Sequence, residues 1–102
     1  TISEMPGDVL DAIEFLGRRD KIGYVHFRFV SGPVPTFAET FIDDGHVDPM
    51  SAMMAYRDAG VDVPMIDDHV PTLDIDPDGH AYTARAHAIG YMKALMDNVY
   101  RC

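Results

Sequence analysis

The sequence predicts an α/β fold in which two parallel strands alternate with three helices. The chain has 102 residues, which is the size of one small domain. Two short apolar runs, rich in β-branched and aromatic residues, separate three stretches whose apolar residues recur at helical spacing. The order is therefore helix–strand–helix–strand–helix, and this alternation favours parallel strands joined by crossover helices.

The first helix and the first strand are predicted between Asp8 and Val30. Asp8 can cap a helix that ends at Gly17 or in the polar residues 18–20. Its apolar residues, which recur at helical spacing, are Val9, Leu10, Ile13 and Leu16. The strand is predicted from Ile22 to Val30, and its nearly continuous apolar run is typical of a strand covered on both faces.

The second half of the chain repeats this pattern after a loop from Pro33 to Val47. Asp48 and Pro49 provide the N-cap and first residue of a helix that we expect to end at Gly60. Its predicted apolar face consists of Met50, Met53, Met54 and Ala55. A strand from Val63 to Ile66 follows, and then a helix from about Ala81 to Tyr100. The predicted buried stripe of that helix consists of Tyr82, Ala86, Ile89, Met92, Met96 and Val99.

The charge and the cysteine count restrict the possible partners. The net charge is -9, from 8 basic and 17 acidic residues, which argues against a nucleic-acid or anionic-membrane surface. The single cysteine is Cys102, so no disulfide forms within the chain and a reducing compartment is expected. No apolar run approaches the length of a bilayer span. We therefore expect a cytoplasmic protein without nucleic-acid or membrane partners.

Two parallel strands are too few for a sheet that is covered on both sides. Parallel sheets are buried, and their strands need neighbours on both edges. The chain is therefore expected to be a piece of a larger α/β protein or to assemble with copies of itself.

The first strand carries two polar side chains that could take part in chemistry. Because side chains alternate along a strand, Tyr24, His26 and Arg28 lie on one face. A single His in an apolar strand is more often a hydrogen-bonded core residue than a ligand. Arg28 strengthens the functional interpretation, because a guanidinium group suits carboxylate and phosphate groups.

The second candidate is the sequence Asp67-Asp68-His69 at the end of the second strand. From the local sequence, a capped turn is at least as common an explanation as a site. The carboxyl ends of parallel strands gather functional groups, so neighbouring strands would bring His26 and Asp68 together. An imidazole and a carboxylate form half of a plausible divalent-metal site. The loop acids Glu39, Asp43 and Asp44 give a weaker signal, since "DDG" usually marks a turn.

Four motifs together resemble the C-terminal part of mannonate dehydratase: "YVHFR", "FIDDG", "DHVP" and "AIGYMKAL". The resemblance covers residues 1–102 as a single segment. It implies a partial (β/α)8 TIM barrel of the xylose-isomerase-like type, to which this chain contributes the last helices and the last two strands. The implied reaction, in hexuronate breakdown, is the metal-dependent dehydration of D-mannonate to 2-keto-3-deoxy-D-gluconate, usually with Mn²⁺.

The resemblance also implies roles for individual residues. His26 and Asp68 resemble metal ligands, and Arg28 resembles a residue that holds the substrate carboxylate or a hydroxyl. His69 and Tyr82 resemble acid/base residues. Two further metal ligands, a His and a Cys, lie on earlier strands that this sequence does not contain, so we expect little turnover from the chain alone.

Two other hypotheses remain open at this point. The chain could be a non-catalytic truncated remnant that folds by homo-oligomerisation. It could instead belong to a related barrel with another task, such as sugar isomerisation, because a fold does not determine a function.

Overall fold

The structure, a computed structural model, describes residues 2–101. Within this part of the chain, three α-helices and a two-stranded parallel sheet follow each other in the predicted order. The elements are α1 (Val9–Gly17), β1 (Val25–His26), α2 (Pro49–Asp58), β2 (Met65–Ile66) and α3 (Tyr82–Val99), with a 3₁₀ turn at Ile2–Glu4 before α1. The prediction of a mixed α/β chain with parallel strands is confirmed. Cys102 lies outside the described residues.

The first two helices begin at the predicted caps. The Asp8 carboxylate accepts a hydrogen bond from the Asp11 backbone N–H at 3.0 Å, and α1 starts at the next residue. Asp48 accepts from the Ser51 backbone N–H at 2.9 Å, and Pro49 is the first residue of α2. These carboxylates satisfy backbone N–H groups that have no partner inside the helix.

The two strands are parallel neighbours, as predicted, but much shorter than expected. Val25 pairs with Met65, and His26 pairs with Ile66. The predicted extents, Ile22 to Val30 and Val63 to Ile66, were therefore wrong. The ladder ends because the Arg28 backbone N–H donates to the His26 carbonyl at 3.0 Å, which turns the backbone away from the partner strand.

The residues that follow β1 stay inside the protein even though they leave the sheet. The buried residues of this stretch are Phe27, Arg28, Phe29 and Val30. Phe27 and Phe29 pack edge-to-face, with ring centroids 4.8 Å apart. The apolar run thus indicated burial correctly from Phe27 to Val30 but not at Gly23 and Tyr24, which are exposed. The number of paired residues depended on backbone hydrogen bonds.

The core lies between the helices and one face of the sheet. Ile13 of α1 and Met53 of α2 are fully buried in this core, where the two helices pack against each other. Gly17 allows the end of α1 to approach the segment after α2, since a Cβ at this position would lie 2.6 Å from Ala59 Cβ. Such a distance is shorter than van der Waals contact, so the close approach requires glycine.

The predicted buried faces of α2 and α3 were wrong in part. On α2, Met50 and Met54 are exposed, and the buried residues are Pro49, Ala52, Met53 and Tyr56. On α3, Tyr82 and Ile89 are exposed, and the buried residues are Ala84, Ala88, Met92, Leu95 and Val99. Both helices use alanine where they pack, because a small side chain permits close approach. The prediction included Ala55 and Ala86 but missed the buried alanines, and Ala86 is exposed.

The N-terminal segment is attached to the end of β1. The Ser3 hydroxyl donates to the Arg28 carbonyl, and the Val34 backbone N–H donates to the Glu4 carbonyl at 2.8 Å. His46 Nε2 lies 2.7 Å from the Ser3 carbonyl oxygen. These contacts place Glu4 beside the carboxyl ends of the strands.

Each helix in residues 2–101 is too short or too polar to cross a lipid bilayer.

Candidate functional site

Polar side chains from four separate segments meet at the carboxyl ends of β1 and β2. We call this group the strand-end cluster, and its members are Glu4, His26, Arg28, Glu39, Asp68 and His69. Each member contacts at least one other through an ion pair or a hydrogen bond. Functional groups of parallel α/β folds gather at this edge of the sheet.

His26 and Asp68 form the centre of the cluster. His26 Nδ1 lies 3.3 Å from Asp68 Oδ2, with both side chains partly exposed. His26 pairs with Ile66 on the neighbouring strand, and Asp68 follows Ile66 by two residues. Asp68 has a φ of +61°, a left-handed conformation that Asp tolerates better than most residues. The structure thus brings together the two residues predicted as metal ligands.

Arg28 lies between two carboxylates. Its Nε donates to Glu39 Oε2 at 3.0 Å, and its terminal nitrogens donate to Glu39 Oε1 and Glu4 Oε2. The Arg28 side chain is only 7% exposed, so its charge would be unfavourable without these partners. The hydrogen bonds from Arg28 lower the pKa of Glu39 below its usual value, against the opposing effect of burial. Glu39 is therefore ionised at neutral pH.

His69 lies at the exposed side of the cluster. Its Nδ1 is 3.4 Å from Glu39 Oε1, and its Nε2 is 3.7 Å from Asp68 Oδ1. The side chain is 62% exposed. An imidazole with this exposure can reach a ligand bound above the strand ends.

Asp67 behaves differently from its neighbours in the Asp67-Asp68-His69 sequence. Its side chain is buried and accepts a hydrogen bond from Arg85 of α3 at 2.9 Å. One carboxylate of the Asp67-Asp68 pair thus enters the interior, while the next faces the cluster. The ion pair fixes β2 to α3 directly beneath Asp68.

Tyr82 is not a member of the strand-end cluster. It lies at the start of α3, is 60% exposed, and stacks on the His80 ring with centroids 4.9 Å apart. The predicted acid/base role of Tyr82 remains a prediction.

Sequence reasoning missed Glu4 and gave Glu39 little weight. An arginine inside an apolar run needs carboxylate partners, and this requirement was the available signal. The backbone bridge between Val30 and Glu39 brings one partner to Arg28. Asp43, another loop acid, lies elsewhere, with its Oδ1 3.4 Å from His87 Nε2.

The donor set of His26 and Asp68 suits a divalent cation, because imidazole and carboxylate both bind such metals. Within residues 2–101, no three His, Cys, Asp or Glu side chains converge on one point in the way a complete metal site requires. The two residues can therefore supply only part of a coordination shell.

The comparisons with known proteins decide the family. The family model described as D-mannonate dehydratase (UxuA) matches residues 3–102. The chain belongs to the D-mannonate dehydratase family. Among solved structures, it is similar to mannonate dehydratase from Streptococcus suis serotype 2, with a TM-score of 0.78 and 23% identity. No curated protein matches the chain.

The solved mannonate dehydratase is much longer than this chain. The match covers 92% of this chain and 28% of the Streptococcus suis protein. At this identity the similarity establishes the fold of the matched part. The fold of this chain thus resembles one portion of that solved mannonate dehydratase.

Proposed function

We propose that this chain provides part of the active site of a D-mannonate dehydratase, within a barrel completed by further strands. The observation that carries the proposal is the 3.3 Å contact between His26 and Asp68 at the carboxyl ends of neighbouring parallel strands. The family match over residues 3–102 supports it independently.

The proposed reaction converts D-mannonate to 2-keto-3-deoxy-D-gluconate by loss of water. One group removes the proton from C2, a second protonates the hydroxyl that leaves C3, and the resulting enol becomes the 2-keto product. His69 and Tyr82 are the proposed acid/base residues of this chain. A divalent metal, Mn²⁺ by family, would supply positive charge near the substrate when bound, with His26 and Asp68 as two of its ligands.

Arg28 is proposed to bind the substrate carboxylate. A guanidinium group presents several donors in a geometry that fits a carboxylate. Its donors also bind Glu4 and Glu39, so these two carboxylates and the substrate carboxylate would share one guanidinium group.

The two edges of the sheet suggest what completes the barrel. A groove of about 220 Å³ beside β2 is lined by apolar residues of β2 and α3, with Asp67 and Lys93 among them. We propose that further strands and helices of a mannonate dehydratase, or those of a second copy, cover these edges in a cytoplasmic assembly. Sedimentation of the isolated chain would show whether it self-associates, and a stable monomer would exclude the second copy.

Metal binding can be measured on the chain as it stands. Mn²⁺ should broaden NMR signals around His26 and Asp68, and the substitutions His26→Ala and Asp68→Asn should abolish this effect. His87→Ala is a matched control, because His87 and Asp43 form a second His–Asp pair at 3.4 Å. Equal broadening around both pairs would mean that Mn²⁺ binds any exposed His–Asp pair.

The reaction itself requires a complementation assay. The chain alone with Mn²⁺ and D-mannonate should show little turnover, and full activity would overturn the proposed need for further strands. Co-expression with the preceding strands of a mannonate dehydratase should restore turnover. His69→Ala should then reduce the rate by roughly 10²–10⁴-fold, whereas an unchanged rate would remove His69 from the acid/base chemistry.

A further inference from the structure

Glu39 contacts both the buried cation of the cluster and its exposed imidazole. Its Oε2 accepts from Arg28 Nε at 3.0 Å. Its Oε1 accepts from a terminal nitrogen of Arg28 and also faces His69 Nδ1 at 3.4 Å. A single carboxylate therefore links a residue held inside the protein to one at its surface.

Two N–H donors of Arg28 bind Glu39 and restrict how its carboxylate can move. They bind both carboxylate oxygens, and such a two-point contact fixes the plane of the carboxylate as well as its position. Rotation of Glu39 would leave a buried guanidinium with fewer partners, which is unfavourable. The bonds from Arg28 thus hold Glu39 in place independently of its contact with His69.

A fixed, ionised carboxylate can only accept a hydrogen bond. Glu39 therefore favours the tautomer with hydrogen on Nδ1, because it lies 3.4 Å from that nitrogen, whereas the Asp68 carboxylate lies 3.7 Å from Nε2. In that tautomer Nε2 has the free lone pair. Nε2 is the nitrogen on the Asp68 side of the ring, 3.7 Å from Asp68 Oδ1.

We propose that Glu39 is a positioning residue that fixes the tautomer and the orientation of His69, so that Nε2 faces the space beside Asp68. Carboxylate–imidazole pairs orient acid/base histidines in this way in other enzymes. The orientation of His69 does not depend on the proposed function. Only the acid/base role of Nε2 rests on it.

The competing explanation is that Glu39 only neutralises Arg28. Glu4 provides the comparison, because it is the other carboxylate on the same guanidinium. Both residues stabilise the buried charge, but the contact to His69 comes from Glu39. A change that follows Glu39→Ala and not Glu4→Ala therefore reports positioning.

The test is ¹⁵N NMR of the imidazole nitrogens in the 102-residue chain, at a pH where imidazoles are neutral. His69→Gln identifies the His69 signals by their loss. In the unsubstituted chain, His69 should be mainly protonated on Nδ1. Glu39→Ala should move it toward the mixture of a solvent-exposed imidazole, and Glu4→Ala should leave it unchanged. An unchanged tautomer in Glu39→Ala, or the same change in both variants, would overturn the proposal.

A second variant covers the case in which Glu39→Ala does not fold. Glu39→Gln keeps the shape and one acceptor oxygen but removes the charge, so the tautomer should shift in the same direction by less. The absence of any shift in Glu39→Gln would then refute the positioning role.

The measurement needs neither metal nor substrate, so it separates this inference from the proposed function. A tautomer shift without any dehydratase activity in the completed barrel would reject the function and retain the positioning. If the completed barrel is active, Glu39→Gln should lower kcat by roughly tenfold or more. Normal kcat together with an unchanged tautomer would reject the positioning and retain the function.

Discussion

Two regions of the molecule are organised by different physical demands. One is the packing of α1 against α2, and the other is the strand-end cluster. Around Ile13 and Met53, apolar side chains fill the space between α1, α2 and the sheet, and a glycine sets the closest approach. In the cluster, six polar side chains from four segments contact one another through ion pairs and hydrogen bonds. The comparison teaches that side-chain volume determines how the helices pack, whereas the structure of the cluster depends on contacts between charged groups.

The largest effect should come from removing volume in the helix contact. Ile13→Ala should lower the free energy of unfolding by about 2–5 kcal/mol, because it leaves a cavity where no side chain can collapse easily. Urea denaturation measures this loss. Ile75→Ala is the control, since the same side chain is 79% exposed there and should change stability by no more than about 0.5 kcal/mol. Equal losses for both variants would show that volume does not govern this contact.

Adding volume at Gly17 should have the next largest effect. A methyl group there would meet Ala59 Cβ at 2.6 Å and Val61 Cγ2 at 3.0 Å, so Gly17→Ala should destabilise the chain by about 1–3 kcal/mol. Gly90, also in a helix, has nothing within 4 Å of such a methyl group. Gly90→Ala should therefore stabilise α3 by about 0.5–1 kcal/mol. Thermal melting of both variants tests the opposite signs, and a stabilising Gly17→Ala would contradict the close approach.

The Asp67–Arg85 pair lies between the two regions and should show a smaller effect. Arg85→Ala leaves the buried Asp67 carboxylate without this donor, which should lower stability by an amount at the low end of about 1–3 kcal/mol. Arg101→Ala breaks an exposed pair with Asp97 and should have almost no effect. Urea midpoints compare the two, and equal values would mean that burial of Asp67 adds nothing.

The smallest effect should come from Glu39, and it should depend on pH. Arg28 lowers the pKa of Glu39 below 4.5 in the folded chain, so the folded state binds this proton less readily than the unfolded state. The stabilisation is therefore present above pH 4.5 and disappears as the pH falls through the lowered pKa.

Glu39→Gln should accordingly be less stable than the unsubstituted chain at pH 7, and the difference should shrink under acid. Urea midpoints measured from pH 7 down to pH 3 test this expectation. Glu14→Gln removes an exposed carboxylate that pairs with Arg18, and at pH 7 it should change stability by less than about 0.5 kcal/mol. A difference for Glu39→Gln that grows as the pH falls would contradict the direction of the pKa shift.

The sequence predicted the order of the elements and the starts of α1 and α2, because Asp8 and Asp48 act on backbone groups within three residues. It also predicted that the strands are parallel neighbours. It did not predict their length, since the turn at Arg28 arises from a backbone hydrogen bond that side-chain patterns do not encode. The buried face of α3 was misjudged in part because Ala84 and Ala88 are buried together with Met92, Leu95 and Val99, whereas Tyr82 and Ile89 are exposed.

The candidate site was predictable to a similar degree. His26 and Asp68 could be brought together because the two predicted strands are parallel neighbours, although His26 lies at the end of the observed strand and in the middle of the predicted one. Glu4 and Glu39 reach Arg28 from 24 and 11 residues away along the chain. Contacts of this kind depend on the path of the loops, and no periodicity in the sequence reports that path.

The two paired positions of the sheet have a consequence for how this segment can change in length. With only Val25–Met65 and His26–Ile66 in register, one inserted residue between Met65 and Asp68 would turn the Asp68 side chain away from His26. The loop from Pro71 to Ala81 holds no paired position of the sheet, and its contact with α3 is made by Asp76, which accepts from Thr83. Homologous sequences should therefore accumulate insertions and deletions in that loop, while the spacing from Met65 to His69 stays constant.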